Sequence, residues 1–305
     1  MNKAYDCLII GAGPAGLTAG IYATRYALKT IIIGKPFESI ITHAWNVENY
    51  PGFKEISGMD LIERFKEHAH HFGVELVEEE VVSAEKNNEF FLITTDANKK
   101  IKTKTIILAM GSVPRKLNVP NEEDFIGKGV SYCATCDAPF FKDKVVAVVG
   151  GSDSAVMTAL LLSQKSKKVY ILYRREKLRA HPIEIKKVNS NEKIEVVYNA
   201  QIKKLVGRDV LEKIELTNGE ELSVNGVFVE IGRVPNPVIA KNLGVKINEQ
   251  GFIIVDEHMR TNIKRVYSAG DICGTKEKLR QVITAAAEGA KAARSAYEDI
   301  EKNKK

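Results

Sequence analysis

Two short glycine-rich turns, each set between an apolar run and a helical run, constrain this chain more than any other feature. The first is Gly11-Ala12-Gly13-Pro14-Ala15-Gly16, after the apolar residues 5–10. The second is Gly150-Gly151-Ser152-Asp153-Ser154-Ala155, after residues 144–149. Such a turn is weak evidence alone. Between a strand and a helix it opens a βαβ unit that holds a dinucleotide. Gly11 permits the tight turn, Gly13 lets the backbone approach a pyrophosphate, and Gly16 lets helix pack on strand. The helix N-terminus then offers N–H groups and partial positive charge to the phosphates. A chain of 305 residues with two such openings is expected to form two domains.

The hydrophobic pattern supplies the rest of each unit. In the first half, helices are expected at 17–27 and 59–72, the latter entered through Ser57. Strands are expected at 5–10, 30–33, 74–82, 90–95 and 103–108, the last running into Ala109-Met110-Gly111. After the second turn the pattern predicts a helix over 155–163 and strands at 168–173, 194–198, 214–216 and 226–229. Residues 231–237, rich in Pro and Gly, read as a crossing linker. Strands at 252–255 and 266–268 and an alanine-rich helix over 281–298 complete the chain. The fold class is therefore α/β, with two Rossmann-like, three-layer dinucleotide-binding domains, the second inserted into the first.

Between the turns lies Cys133-Ala134-Thr135-Cys136, followed at once by Asp137. Two residues between two cysteines close a small ring that breaks and re-forms readily, so it suits electron transfer. Amid βαβ patterns it indicates a redox site in a reducing compartment rather than a secreted disulfide framework. The other two of the four cysteines, Cys7 and Cys273, read as small core residues. No second pair has zinc spacing. His68-Ala69-His70-His71 reads as a solvated helix end rather than a metal site.

The cofactor signals differ between the turns. Where the second strand of a nucleotide unit usually ends on an acid for the ribose, this chain has Gly34. In the second turn Ser152 replaces the middle glycine and narrows the space for a pyrophosphate. Beyond the following strand come Arg174, Arg175 and Arg179. Basic groups there suit a 2′-phosphate, hence NADP. The net charge of +6 lies largely in lysines at 99–104, 165–168 and 302–305. These read as solvated surface, without a nucleic-acid partner, although a basic face helps an acidic protein approach. Asp6 and the glycine turn argue against a signal peptide over the apolar run that follows, and no run reads as a membrane span, so a cytoplasmic protein is expected.

Together these segments resemble the low-molecular-weight thioredoxin reductases of bacteria and archaea over nearly the whole length. The resemblance is carried by the Gly11–Gly16 turn, Val47-Glu48-Asn49-Tyr50-Pro51-Gly52 and Ser131-Tyr132-Cys133-Ala134-Thr135-Cys136-Asp137. It is carried further by the arginines above, Ala269-Gly270-Asp271 and Arg280-Gln281-Val282-Ile283-Thr284-Ala285-Ala286. The resemblance implies a homodimer. An FAD-binding domain would comprise 1–113 and 238–305, and an NADPH-binding domain 114–237 would carry the cysteines. FAD would be held by Gly11, Gly13, Pro14, Ala15, Gly16, Asn49, Ala109, Gly111, Gly270, Asp271, Arg280, Gln281 and Val282. NADPH would be held by Gly150, Ser152, Ser154, Ala155, Arg174, Arg175 and Arg179. By the same resemblance Cys136 faces the flavin, Cys133 attacks the disulfide of thioredoxin or a thioredoxin-like protein, and Asp137 is the nearby acid. Linkers near Pro114 and Pro235 would act as hinges.

The chain departs from the family pattern in three places. Glu38-Ser39-Ile40 stands where Gly-Gly-Gln is usual, Ser152 replaces a glycine, and Ala138-Pro139 replaces a glycine and an aromatic residue. The first two changes leave the donor open between NADPH and a ferredoxin or deazaflavin. Rival readings are a flavin-dependent oxidase that forms disulfides in a small molecule and a non-catalytic flavin protein. The intact cysteine pair argues against the latter.

Overall fold

The computed structural model describes residues 4–44, 46–87, 89–274 and 279–302; residues 303–305 of the basic tail lie outside these. The chain forms two compact units, one of residues 1–113 and 234–305 and the other of 114–233.

The first unit is built on a parallel sheet. Its opening strand, β1 (Tyr5–Ile10), leads through the first glycine turn into helix α1 (Pro14–Arg25) and strand β2 (Thr30–Ile33). Pro14 occupies the first turn of α1, where a missing N–H costs nothing, so the helix starts three residues before the hydrophobic pattern alone predicts. Helix α2 (Gly58–His71) is entered through Ser57, whose hydroxyl oxygen accepts from Asp60 N at 3.0 Å. The single strand expected at 74–82 is two, β3 (Glu75–Val77) and β4 (Val81–Asn87). Between them the Glu80 N–H is taken by the Asp96 carboxylate at 3.2 Å, and β4 pairs antiparallel with β5 (Phe90–Thr95) instead. Strand β6 (Lys100–Leu108) completes an order of β3-β2-β1-β6-β5-β4.

Alternate residues of β1 and β2 enter opposite layers, as the two-residue repeat of a strand requires. Cys7, Ile9 and Ile32 pack with the helices, including the C-terminal one. Leu8, Ile10, Ile31 and Ile33 pack with Ala84, Phe91 and Ile93 of the antiparallel strands. The result is three layers: helices, parallel sheet, small antiparallel sheet.

The second unit repeats this plan. After the short strand β7 (Ser112–Pro114), the turn α3 (Glu122–Phe125), strand β8 (Val130–Ser131) and turn α4 (Ala134–Asp137), it runs β9 (Val145–Val149), α5 (Asp153–Ser163), β10 (Lys168–Tyr173), α6 (Pro182–Asn189) and β11 (Ile194–Tyr198). An antiparallel sheet of β12 (Ile202–Gly207), β13 (Leu211–Leu216) and β14 (Glu221–Ser223) precedes β15 (Gly226–Val229). The parallel order is β11-β10-β9-β15-β8. Val146 and Val148 face α5 and α6, while Ala147 and Val149 face the antiparallel sheet. Strand β12 is invisible in the sequence because its register shifts between Ile202 and Lys204, which breaks the alternation.

The chain returns to the first unit through β16 (Arg233–Pro235), α7 (Val238–Asn242), β17 (Val266–Ser268) beside β6, and α8 (Val282–Lys302). The strand expected at 252–255 is reduced to isolated bridges of Ile253 with Ile247 and Cys273. Helix α8 lies close on α1. A Cβ at Gly289 would fall 2.1 Å from the Ala15 carbonyl oxygen, and Tyr297 stacks on Tyr26 at 4.8 Å.

This contact yields a test. Gly289→Ala must push α8 away from the first glycine turn, because the obstructing atom is backbone. We expect a loss of about 1–3 kcal/mol, the usual cost of overpacking. Chemical denaturation checks it; an unchanged midpoint would mean that the helices part freely.

Candidate active site

In both units the glycine turn is shaped by the same backbone contact. Strands β1 and β6 pair in parallel with Ile10 opposite Leu108, so the next residues, Gly11 and Ala109, meet. A Cβ at Gly11, which has φ +107°, would lie 2.3 Å from the Ala109 carbonyl oxygen. Strands β9 and β15 pair with Val149 opposite Val229. A Cβ at Gly150, with φ +144°, would lie 2.2 Å from the Glu230 carbonyl oxygen. Gly34 also has a steric cause. Its Cβ would lie 2.8 Å from Ala12 N, so no acid can stand there.

The first cradle gathers residues far apart in sequence. At Gly13 a Cβ would meet only Ser39 Cβ, at 3.7 Å, so the face of the turn is open. Helix α1 has no side-chain cap and no acid in its first turn. An open glycine and unshared N–H groups fit a pyrophosphate, so the residues present suit a dinucleotide. Gly270, at φ +80°, comes against Ala15, and its N–H donates to Glu288 at 2.8 Å. Asn49 Nδ2 donates to Gln281 Oε1 at 3.0 Å, which unites two of the expected flavin residues. Arg280 lies over the Phe252 ring at 4.3 Å. Asp271 follows Gly270 half-buried, and Val282 opens α8. Glu288 and Gly289 escaped the sequence reading, because Glu288 acts through the Gly270 amide in a different element and Gly289 through Ala15 at the far end of the chain, and neither leaves a local pattern.

The second cradle keeps its shape despite its serine. Ser152 has φ −95° and ψ −178°, close to the −76° and −175° of Gly13. This is extended backbone that any residue adopts. Ser152 Oγ lies 3.3 Å from Ser154 Oγ. Behind the turn, Glu230 accepts from Thr158 Oγ1 at 3.1 Å, and burial raises its pKa above the usual carboxylate value. Arg174, Arg175 and Arg179 are exposed just past the end of β10. Arg179 N donates to Gly151 O at 2.7 Å.

The cysteine pair follows β8. Cys133 and Cys136 form a disulfide, with Cα atoms 5.4 Å apart. Cys133 caps α4: its Sγ accepts from Cys136 N at 3.3 Å, and its carbonyl accepts from Asp137 N at 3.1 Å. Cys133 is half-buried and Cys136 exposed. The loop is anchored from both sides. Before it, the Tyr132 hydroxyl donates to Glu122, a buried carboxylate that also accepts from Leu117 N at 2.8 Å and Asn118 N at 2.7 Å. Burial, and then this carboxylate, push the Tyr132 phenol up. After it, Phe141 is buried edge-on against Phe228 at 5.1 Å, whereas its neighbour Phe140 is 71% exposed. Glu122 also went unnoticed in the sequence, since nothing marks a buried glutamate among three acids.

The remaining candidates lie outside this chemistry. The His68 and His71 rings pack on Phe72 at 5.4 and 5.1 Å. Cys7 and Cys273 are fully buried thiols outside the disulfide, and the Cys273 thiol donates to Ser268 Oγ at 3.1 Å; burial pushes the Cys7 pKa up to about 12. Thiol counting tests this division. The native protein, reduced and freed of reductant without air, should expose Cys133 and Cys136 only, and all four cysteines on unfolding. A third fast-reacting thiol in the native protein would contradict the burial.

A sequence profile of the pyridine nucleotide-disulphide oxidoreductases matches residues 5–289. A thioredoxin reductase of Peptoclostridium acidaminophilum is 40% identical over 318 aligned residues, covering 99% of each chain. The crystal structure of the Lactococcus lactis thioredoxin reductase in its FR conformation matches with a TM-score of 0.93 at 36% identity, covering 98% of this chain and 99% of that one. That of T. acidophilum thioredoxin reductase matches at 0.92 and 33% identity, covering 97% and 99%.

Proposed function

The chain belongs to the pyridine nucleotide-disulphide oxidoreductases and, within them, to the thioredoxin reductases, and we propose that it passes electrons from NADPH through FAD and the Cys133–Cys136 disulfide to the disulfide of thioredoxin or a thioredoxin-like protein. One observation carries this reading: a two-residue disulfide ring lies in the unit whose glycine turn ends beside three exposed arginines. The first cradle, with Asn49, Ala109, Gly111, Gly270, Asp271, Arg280, Gln281 and Val282 around Gly11, Gly13, Pro14, Ala15 and Gly16, serves FAD. The second, with Gly150, Ser152, Ser154, Ala155, Arg174, Arg175 and Arg179, serves NADPH. In this reading residues 1–113 and 238–305 form the FAD-binding domain and 114–237 the NADPH-binding one, although residues 234–237 belong to the first compact unit.

When bound, FAD supplies the two-electron step between the nicotinamide and the disulfide. The chain's own part is sulfur exchange. Reduction adds two electrons and opens the Cys133–Cys136 bond to a dithiol. The Cys136 N–H aimed at Cys133 Sγ, at the start of a helical turn, favours the thiolate at Cys133. That thiolate attacks one sulfur of the substrate disulfide and displaces the other as a thiolate. Asp137 takes the proton from Cys136 Sγ and passes it to the displaced sulfur. The Cys136 thiolate then attacks Cys133 Sγ, restores the ring and frees the reduced substrate. Tyr132 and Phe141, fixed by Glu122 and Phe228, hold the loop while sulfurs exchange. Exposed Phe140 offers an apolar contact to a protein substrate beside the cysteines. Homodimerisation rests on the family resemblance, and a cytoplasmic location on the cysteine pair amid βαβ patterns, which suits a reducing compartment. Among the described residues no helix is long and apolar enough to cross a membrane.

The reading is tested in two half-reactions. Cys133→Ser and Cys136→Ser should each keep NADPH-dependent bleaching of the flavin and lose thioredoxin reduction by at least about 100-fold, since exchange needs both sulfurs. Wild-type turnover in either variant would refute the mechanism. Bleaching by reduced ferredoxin and not by NADPH would refute the donor.

A further inference from the structure

Tyr173 ends β10 almost fully buried, and its ring covers the second glycine turn. A Cβ at Gly151 would lie 2.5 Å from its Cδ2 atom, so ring and glycine fit face to face. At the tip of the ring, the hydroxyl oxygen accepts from Arg179 Nε at 2.9 Å. The Arg179 main chain is tied to the same turn, through its N–H to Gly151 O at 2.7 Å and a bridge to Ser152. Arg179 is therefore held at both ends. Arg174 and Arg175 differ: they are exposed, and their guanidinium groups make no hydrogen bond or ion pair among the described residues. The acid in the first turn of α5, Asp153, is engaged elsewhere. It accepts from His181 N at 2.7 Å and lies 3.0 Å from His181 Nδ1.

We propose that Tyr173 is a positioning residue that sets the preference for a 2′-phosphorylated cofactor by holding the Arg179 guanidinium beside the second glycine turn. The proposal rests on the NADPH reading above and names the residue that enforces it. The chemistry is specific. A guanidinium that spends only Nε on a neutral phenol keeps its full charge and both terminal nitrogens for a phosphate. A carboxylate partner would have cancelled that charge. Fixing the fork in advance removes the ordering that binding otherwise requires, and a 2′-phosphate is the group of the cofactor that gains.

The test uses the purified flavoprotein and two probes differing only in the 2′-phosphate, 2′,5′-ADP and 5′-AMP. Calorimetric titrations compare wild type, Tyr173→Phe, Arg179→Met and the double variant. Phenylalanine keeps the ring on Gly151 and removes only the hydroxyl. Tyr173→Phe should weaken 2′,5′-ADP by about 2- to 12-fold, the usual cost of immobilising one long side chain, and leave 5′-AMP unchanged. In the Arg179→Met background it should change neither. Equal weakening of both probes by Tyr173→Phe, or undiminished preference for 2′,5′-ADP, overturns the proposal alone. Equal affinity of the wild type for both probes overturns the 2′-phosphate reading and the proposal with it.

Discussion

Backbone meeting backbone at the two glycine turns is the constraint on which the rest of the molecule depends. Gly11 lies against the Ala109 carbonyl and Gly150 against the Glu230 carbonyl, each one residue past a paired couple of parallel strands. No side chain fits in either place, and both φ values are positive. Each contact fixes the angle at which the chain leaves its strand, and so the line of the helix that follows. Helices α1 and α5 then point uncapped N-termini into the cradle. The repetition of one contact, one register and one layer order in both units indicates that a single physical solution is used twice.

The cysteine loop depends on a different constraint, which is anchoring. A one-turn helix has little stability of its own. Here it is held by the buried Glu122, through Tyr132, on one side and by Phe141 on the other. The loop presents Phe140 and the sulfurs while its flanks stay packed. A reactive disulfide needs this arrangement, because sulfur exchange requires near-collinear approach of three sulfurs and tolerates little wandering.

Much of this was legible in the chain. The glycine turns, the cysteine pair and the arginines announce themselves because each is a local device with fixed spacing. Gly34 and Ser152 looked like exceptions in sequence. In space, the first avoids Ala12 N and the second sits in extended backbone that tolerates a side chain. What stayed hidden are contacts that leave no spacing pattern. Gly289 matters through the Ala15 carbonyl, Glu288 accepts from the Gly270 amide, and Glu122 gathers the Tyr132 hydroxyl with the Leu117 and Asn118 amides. Strand β12 was hidden by its bulge, and β3 and β4 were fused because a periodic reading cannot see the Asp96 carboxylate that separates them.

The central claim is that the Cys133–Cys136 disulfide is a store of electrons on the path from NADPH to a protein disulfide. Anaerobic reductive titration of the purified flavoprotein tests it most directly. The wild type should take up about four electrons per flavin, two in the flavin and two in the disulfide, and Cys133→Ser only about two. An uptake of two electrons by both proteins would mean that the disulfide lies off the path, and would contradict the account.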